Sequence, residues 1–315
     1  MDERFDVVVI GGGAAGLSGA LALARARRSV LVLDDGTPRN APAAAVHNYL
    51  GREGTPPAEL YAIGRAEVAG YGGRFREGTA VGARRIEGGF ALTLADGGAL
   101  EARRLLVATG AADELPAVPG LAQLWGTDVL HCPYCHGWEV RDQPIGILST
   151  GPFGVHGALL WRQWSDDVVL FSHTGPAPTD EQAEQLAARG IPVVEGEVVG
   201  VETVDGRLSG VRLDDGRLVP RRALVAHGFV RARTDVLADL GLRASEVELM
   251  GAPVGSVVAT GQEGGTDVPG VWVVGNAGDV RAVVIASAAQ GLAAAAQINT
   301  DLVMADTHAA VAARR

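Results

Sequence analysis

Six residues, Gly11-Gly12-Gly13-Ala14-Ala15-Gly16, constrain the fold of this chain more than any other stretch. They follow Phe5-Asp6-Val7-Val8-Val9-Ile10, a β-branched run with the composition of a buried strand. An Ala/Leu/Arg-rich helical stretch runs from Leu17 to Arg27, and Val30-Leu31-Val32-Leu33 forms a second apolar strand ending in Asp34-Asp35. The spacing Gly11-x-Gly13-x-x-Gly16 allows a tight turn and a close backbone approach to a pyrophosphate. The N-terminus of the helix that follows adds partial positive charge there. Asp34, 23 positions beyond Gly11, stands where a carboxylate binds ribose hydroxyls. The glycines alone are a weak signal; strand, loop, helix, strand and terminal acid together specify a dinucleotide site. A glycine-rich turn with no ligand is the competing reading.

The rest of the chain partly repeats this layout. The strand Arg103 to Gly110 follows a hairpin signal at Leu94–Gly98, and the strand Arg221 to Gly228 follows another at Leu213–Gly216. The two double-arginine strands lie 118 positions apart. Upstream of the second copy, Ile145–Leu148 reads as a strand, Ser149–Gly154 occupies the place of a nucleotide loop, and Val155 to Trp164 reads as a helix before the strand Val168–Phe171. A last strand, Val271–Val274, leads into Gly275-Asn276-Ala277-Gly278-Asp279 and a small-residue helix from about Ile285 to Asn299. That strand belongs with the first copy, because the second already has its full set. The expected fold is therefore α/β, with two Rossmann-like dinucleotide-binding domains, the second inserted into the first. The discontinuous domain takes 1–113 plus 232–315, and the insert takes 114–231. The C-terminal stretch from Thr307 reads as a frayed end or a partner-contacting helix.

Composition narrows the chemistry. All 27 basic residues are arginine, which excludes a Schiff-base lysine and a P-loop lysine. The net charge of −10 argues against a nucleic-acid partner. No apolar run reaches the length of a membrane span, and the acidic start is unlike a signal peptide, so the cytoplasm is the expected location. The only two cysteines form Cys132-Pro133-Tyr134-Cys135, and in a reducing compartment such a pair is catalytic or metal-binding rather than a staple. His131 and His136 flank it. Three other readings compete: a zinc site of cramped spacing, a c-type haem attachment, which needs an exported chain, and a His131 that only braces the loop.

Gly11–Gly16 together with Gly275–Asp279 resembles the flavoproteins built from two dinucleotide-binding domains. His131-Cys132-Pro133-Tyr134-Cys135-His136-Gly137 narrows the resemblance to the low-molecular-weight thioredoxin reductase family. It implies three-layer ββα domains, a homodimer, and non-covalent FAD with the cysteine disulfide against the flavin. No metal is expected. By family position, FAD is held by Gly11, Gly13, Ala14, Ala15, Gly16, Asp34 and Asp35. The segment after the ribose acid adds Arg39, Asn40, His47 and Asn48, although Arg39 also reads as a solvated loop charge. Val81, Ala108, Thr109 and Gly110 follow, and the C-terminal segment adds Gly275, Asn276, Asp279, Ala282 and Val283.

Three departures stand out. Ser149 replaces the first glycine of the second nucleotide loop, and Pro152 removes a backbone donor. Ser172–Pro178 lacks the paired arginines that hold an NADPH 2′-phosphate in the reductases. His136 stands where the reductases carry an Asp. These changes resemble the dithiol oxidases of the gliotoxin and holomycin type. That resemblance implies a small-molecule dithiol substrate, attack at Cys132, Cys135 on the flavin side, His136 as base, and O2 as final acceptor giving H2O2. An NADPH-dependent thioredoxin reductase and a flavin-binding redox sensor are the alternatives.

Overall fold

The computed structural model describes residues 4–315. The first half of the fold is a seven-stranded sheet, with Arg4–Ile10 between Val30–Asp34 and Ala99–Val107, all parallel. Arg74–Glu77 extends one edge. The strand Ala99–Val107 branches: its first part pairs with Gly89–Leu94 of an antiparallel hairpin, and its last residues pair with Val271–Val273. That branching gives three layers. Hairpin side chains such as Phe90 and Leu92 cover one face, and the helices Ala14–Arg25 and Val284–Ala312 cover the other. The two helices touch backbone to backbone, since a Cβ at Gly291 would lie 2.0 Å from the Ala15 carbonyl oxygen.

The insert repeats the plan on a smaller scale. Its parallel sheet runs 193–194, 168–171, 145–148, 223–226, 129–130, with a three-stranded antiparallel layer over one face. Trp161 is buried in the core beneath the sheet. Two connecting strands, Ala111–Glu114 and Phe229–Ala232, pair antiparallel and join a sheet with the hairpin Ala244–Leu249/Ala252–Val258. The expected boundaries at 113/114 and 231/232 cut through these strands, because pairing with each other holds the two chain crossings together.

The C-terminal helix corrects an expectation. It runs unbroken from Val284 to Ala312, 13 residues beyond Asn299. No Gly or Pro interrupts it after Gly291. Asp306 ties the helix to Arg28 at 2.8 Å and to Arg103, and beyond it the exposed turns from Thr307 to Ala312 are helical.

Candidate active site

A single cavity of about 1010 Å³ runs from the first glycine loop to the cysteine pair. At its far end, Gly11 adopts φ +106, and a Cβ there would lie 2.3 Å from the Ala108 carbonyl oxygen. Gly16 is equally obligatory, since its Cβ would sit 1.9 Å from the Gly11 oxygen. It supports the loop from behind without lining the cavity. Gly13 is different: its backbone is extended, and a Cβ would meet nothing within 4 Å. The space it faces is the open cavity. The helix starting at Ala14 has no side-chain cap, so its first N–H groups are available to an anion.

Asp34 reaches back into the loop and accepts from Gly12 N at 2.9 Å; its other oxygen accepts from Arg65. Arg65 and Tyr61 project from the helix Pro57–Gly70, and the Tyr61 hydroxyl donates to Asn40 Oδ1 at 2.9 Å. Burial pushes the Tyr61 hydroxyl above its ordinary pKa, so it stays protonated. Asp35 turns outward to accept from Thr37 N and Oγ1. Sequence reading missed Tyr61 and Arg65. Their i, i+4 spacing after Pro56-Pro57 is the signal that could have found them.

Arg39 lies nearer the cysteines. Its Nε and Nη2 donate to Asp113 at 2.8 and 2.5 Å, and its Nη1 donates to Asn276 Oδ1 at 3.1 Å. The Asn276 amide donates to the Asp279 and Ala282 carbonyls, each at 3.0 Å. This arrangement sets Ala282 and Val283 at the start of the C-terminal helix, where they line the cavity with Ser287. Ala108, Thr109, Gly110 and Gly275 line it from the strand ends.

Besides Gly16, three expected cavity residues lie elsewhere. Val81 is half exposed and points away: Ala80, the first residue of the strand Ala80–Ile86, lines the cavity, and alternation sends the next side chain to the other face. The Asp279 carboxylate caps Arg281 N and receives Gln290 Nε2. Asn48, at φ +58, donates its amide to the Tyr134 carbonyl at 2.6 Å, so it grips the cysteine segment rather than the cavity. His47 does line the cavity, with Nδ1 2.6 Å from Glu53 and Nε2 3.4 Å from Glu139 of the insert.

Cys132 caps a single helical turn, Pro133–His136, and both cysteines are free thiols with sulfurs 2.7 Å apart. The Cys135 thiol donates to Cys132. That bond, backbone N–H groups of Cys135 and Tyr134, and the Arg39 charge hold Cys132 down to about 7. The same bond and burial push Cys135 well above the usual thiol range. The thiolate of the pair therefore resides on Cys132. His131 stacks on Trp125 at 5.5 Å, and desolvation, aided by Arg39, lowers it to about 4. Burial also lowers His136, against the pull of Glu139. Both imidazoles are neutral at pH 7 and can accept a proton.

In the insert, Ser149 stands where the second nucleotide loop begins and packs against two glycines, while a Cβ at Gly151 would meet nothing within 4 Å. Ser149 Oγ sits where a Cβ at Gly154 or Gly175 would come within 2.3 or 2.0 Å. Gly175 N donates to the Ser149 carbonyl at 2.9 Å. His173, at φ +42, accepts from Val198 N at 3.1 Å through Nδ1.

Residues 5–297 match the family model described as pyridine nucleotide-disulphide oxidoreductase. The chain belongs to this family. It is thioredoxin reductase-like, and such proteins bind FAD. The glycine cradle, the open space at Gly13 and the cavity volume fit that cofactor. Among solved structures, the chain is 46% identical to HlmI, with TM-score 0.90 over 98% of this chain and 96% of that one. It is 32% identical to an oxidoreductase from Agrobacterium tumefaciens, with TM-score 0.89 over 96% and 99%. Thioredoxin reductase tcpT of Claviceps purpurea is 37% identical over 177 residues, 53% of this chain and 55% of that protein. The chain thus spans about half the length of the curated relatives it matches.

Proposed function

We propose that the protein is an FAD-dependent dithiol oxidase that closes a disulfide within a small secondary metabolite and passes electrons to O2, giving H2O2. The observation that carries this reading is the altered second nucleotide loop. Ser149 replaces its first glycine and packs against Gly154 and Gly175, Pro152 offers no N–H to a phosphate, and Ser172–Pro178 contains no arginine for a 2′-phosphate. The first nucleotide site, by contrast, is open and complete.

In the oxidised enzyme Cys132 and Cys135 form a disulfide. One substrate thiolate attacks Cys132 Sγ, the protein S–S bond breaks, and Cys135 leaves as thiolate. The second substrate thiolate attacks the substrate sulfur of the mixed disulfide, forming the product S–S bond and expelling Cys132. Cys132 is the sulfur with the lowered pKa, so it is a good leaving group for this ring closure. His136, neutral and beside the pair, takes a substrate proton. The electron pair is then held by the protein dithiol, and bound FAD supplies the two-electron chemistry that links this dithiol to O2. The working unit is taken as a homodimer in the cytoplasm; among the described residues no helix is long and apolar enough to cross a membrane.

The second reading is an NADPH-dependent disulfide reductase. It is favoured by the retained Rossmann layout of the insert and by the names of the curated relatives. Oxygen uptake with a panel of small dithiols, alongside anaerobic NADPH titration, separates the two. Dithiol-dependent uptake with no flavin bleaching by NADPH is expected. Rapid bleaching by NADPH without dithiol oxidation would replace the first reading by the second.

A further inference from the structure

Arg39 is held by three acceptors at once: both Asp113 oxygens and Asn276 Oδ1. Only a planar fork can satisfy that set, and the side chains of Arg39 and Asp113 are just 20% and 12% exposed. Arg39, Asp113, Cys132 and Cys135 all line the same cavity. The Asn276 amide group is committed to two carbonyls, so its oxygen must face Arg39. A carboxylate at 276 would set a second negative charge against the guanidinium and face those carbonyls with no proton to donate. Asn276 thus leaves Arg39 with one countercharge, where an aspartate at this position would supply a second.

We propose that Arg39 is an electrostatic positioning residue for the cysteine pair: a fixed cation that, with Asn276 as its neutral partner, sets how readily Cys132 forms a thiolate. Its charge favours the thiolate of both cysteines. At His131 the same charge acts against Asp113, so Asp113 lies within range of the site and moderates the cation. The other titratable groups around the pair are His131, His136 and Glu139 on the cysteine segment, and His47 and Glu53 on the facing loop. His227 acts on His131 from the end of the neighbouring strand. Arg65, Arg231, Arg233 and Arg281 also line the cavity, Arg231 with a two-bond fork to Glu114; Arg39 is the one whose charge bears on Cys132, Cys135 and His131 together. The role is independent of which electron acceptor or donor the enzyme uses.

The test is the pH dependence of iodoacetamide alkylation of Cys132 in FAD-loaded, reduced protein, read in a Cys135→Ser background so that one thiol reports. Arg39→Met should raise the alkylation midpoint by about one pH unit. Asn276→Asp, nearly isosteric and so a safeguard if Arg39→Met fails to fold, should also raise it. Asp113→Asn should move it the other way, because the guanidinium loses its countercharge. A purely structural network would shift Arg39→Met and Asp113→Asn together or not at all, and either result overturns the proposal. No turnover or oxygen is involved, so failure here is distinct from failure of the oxidase reading.

Discussion

The side-chain amide of Asn48, in the FAD-binding half, donates to the backbone carbonyl of Tyr134, between the two cysteines of the insert, at 2.6 Å. Asn48 is held at φ +58 with its own N–H bonded to Glu53, and the adjacent His47 reaches Glu139. On the same loop, Pro42 packs against Gly126 so closely that a Cβ there would lie 2.8 Å away. One irregular loop thereby fastens the cysteine turn over the cavity.

Asn48→Ala removes one inter-domain hydrogen bond, worth about 1 kcal/mol. Amide exchange at Tyr134–Gly137 should quicken by about fivefold, while exchange in the Arg4–Ile10 strand stays unchanged. Unaltered exchange at the cysteine turn would mean the bond does not fasten it.

His136→Ala should slow dithiol turnover by about 10²–10⁴-fold at pH 7 while FAD stays bound. Burial lowers the His136 pKa, so the wild-type base is neutral at pH 7 and is lost only as pH falls through that lowered value. The deficit should shrink toward pH 9, where substrate thiolate forms unaided. A loss below threefold at pH 7, or one independent of pH, would remove His136 as the base.

Gly13→Val should fold and lack colour. The backbone at Gly13 is extended and nothing lies within 4 Å of a Cβ, so the apo protein tolerates the side chain that the cofactor cannot. Thermal melting of the purified variant close to that of wild-type apoprotein, with flavin absorbance below a tenth, is the expected pair of measurements.

Stability should fall between pH 6.5 and pH 4 because of His131. Its folded pKa, about 4, lies below the unfolded value, so the unfolded chain binds a proton that the folded chain refuses. The contribution is complete above pH 6.5 and is lost as pH drops toward 4, reaching about 3 kcal/mol. The stability of wild type relative to His131→Asn, whose side chain does not titrate, should be constant above pH 6.5 and fall by that amount as pH drops to 4 in denaturant titrations. Parallel curves would place the acid sensitivity elsewhere.

Gly175→Ala should destabilise the insert by about 1–3 kcal/mol, since the new methyl meets Ser149 Oγ at 2.0 Å. Adding Ser149→Gly should recover much of that loss in a double-mutant cycle. Additive penalties would show that the two residues do not share the space.

Local patterns carried the fold and the cofactor. Gly11–Gly16, the apolar strand runs and the repeated double-arginine strands are read within short windows, where periodicity and glycine spacing report backbone geometry directly. The same holds for the Cys132–Cys135 pair and for the damage at Ser149. What the windows could not contain are pairings across the fold. Arg39 meets Asp113 across 74 positions and Asn276 across 237, and Asn48 meets Tyr134 across 86. No periodicity links such residues, so no sequence pattern marks Asp113 as the partner of Arg39 or joins Asn48 to the cysteine turn. The direction of Val81 and the unbroken run of the last helix were likewise set by strand alternation against the core and by the Arg28–Asp306 pair. Hydrogen bonds and charges act through space, and only the folded chain decides which distant side chains come within their reach.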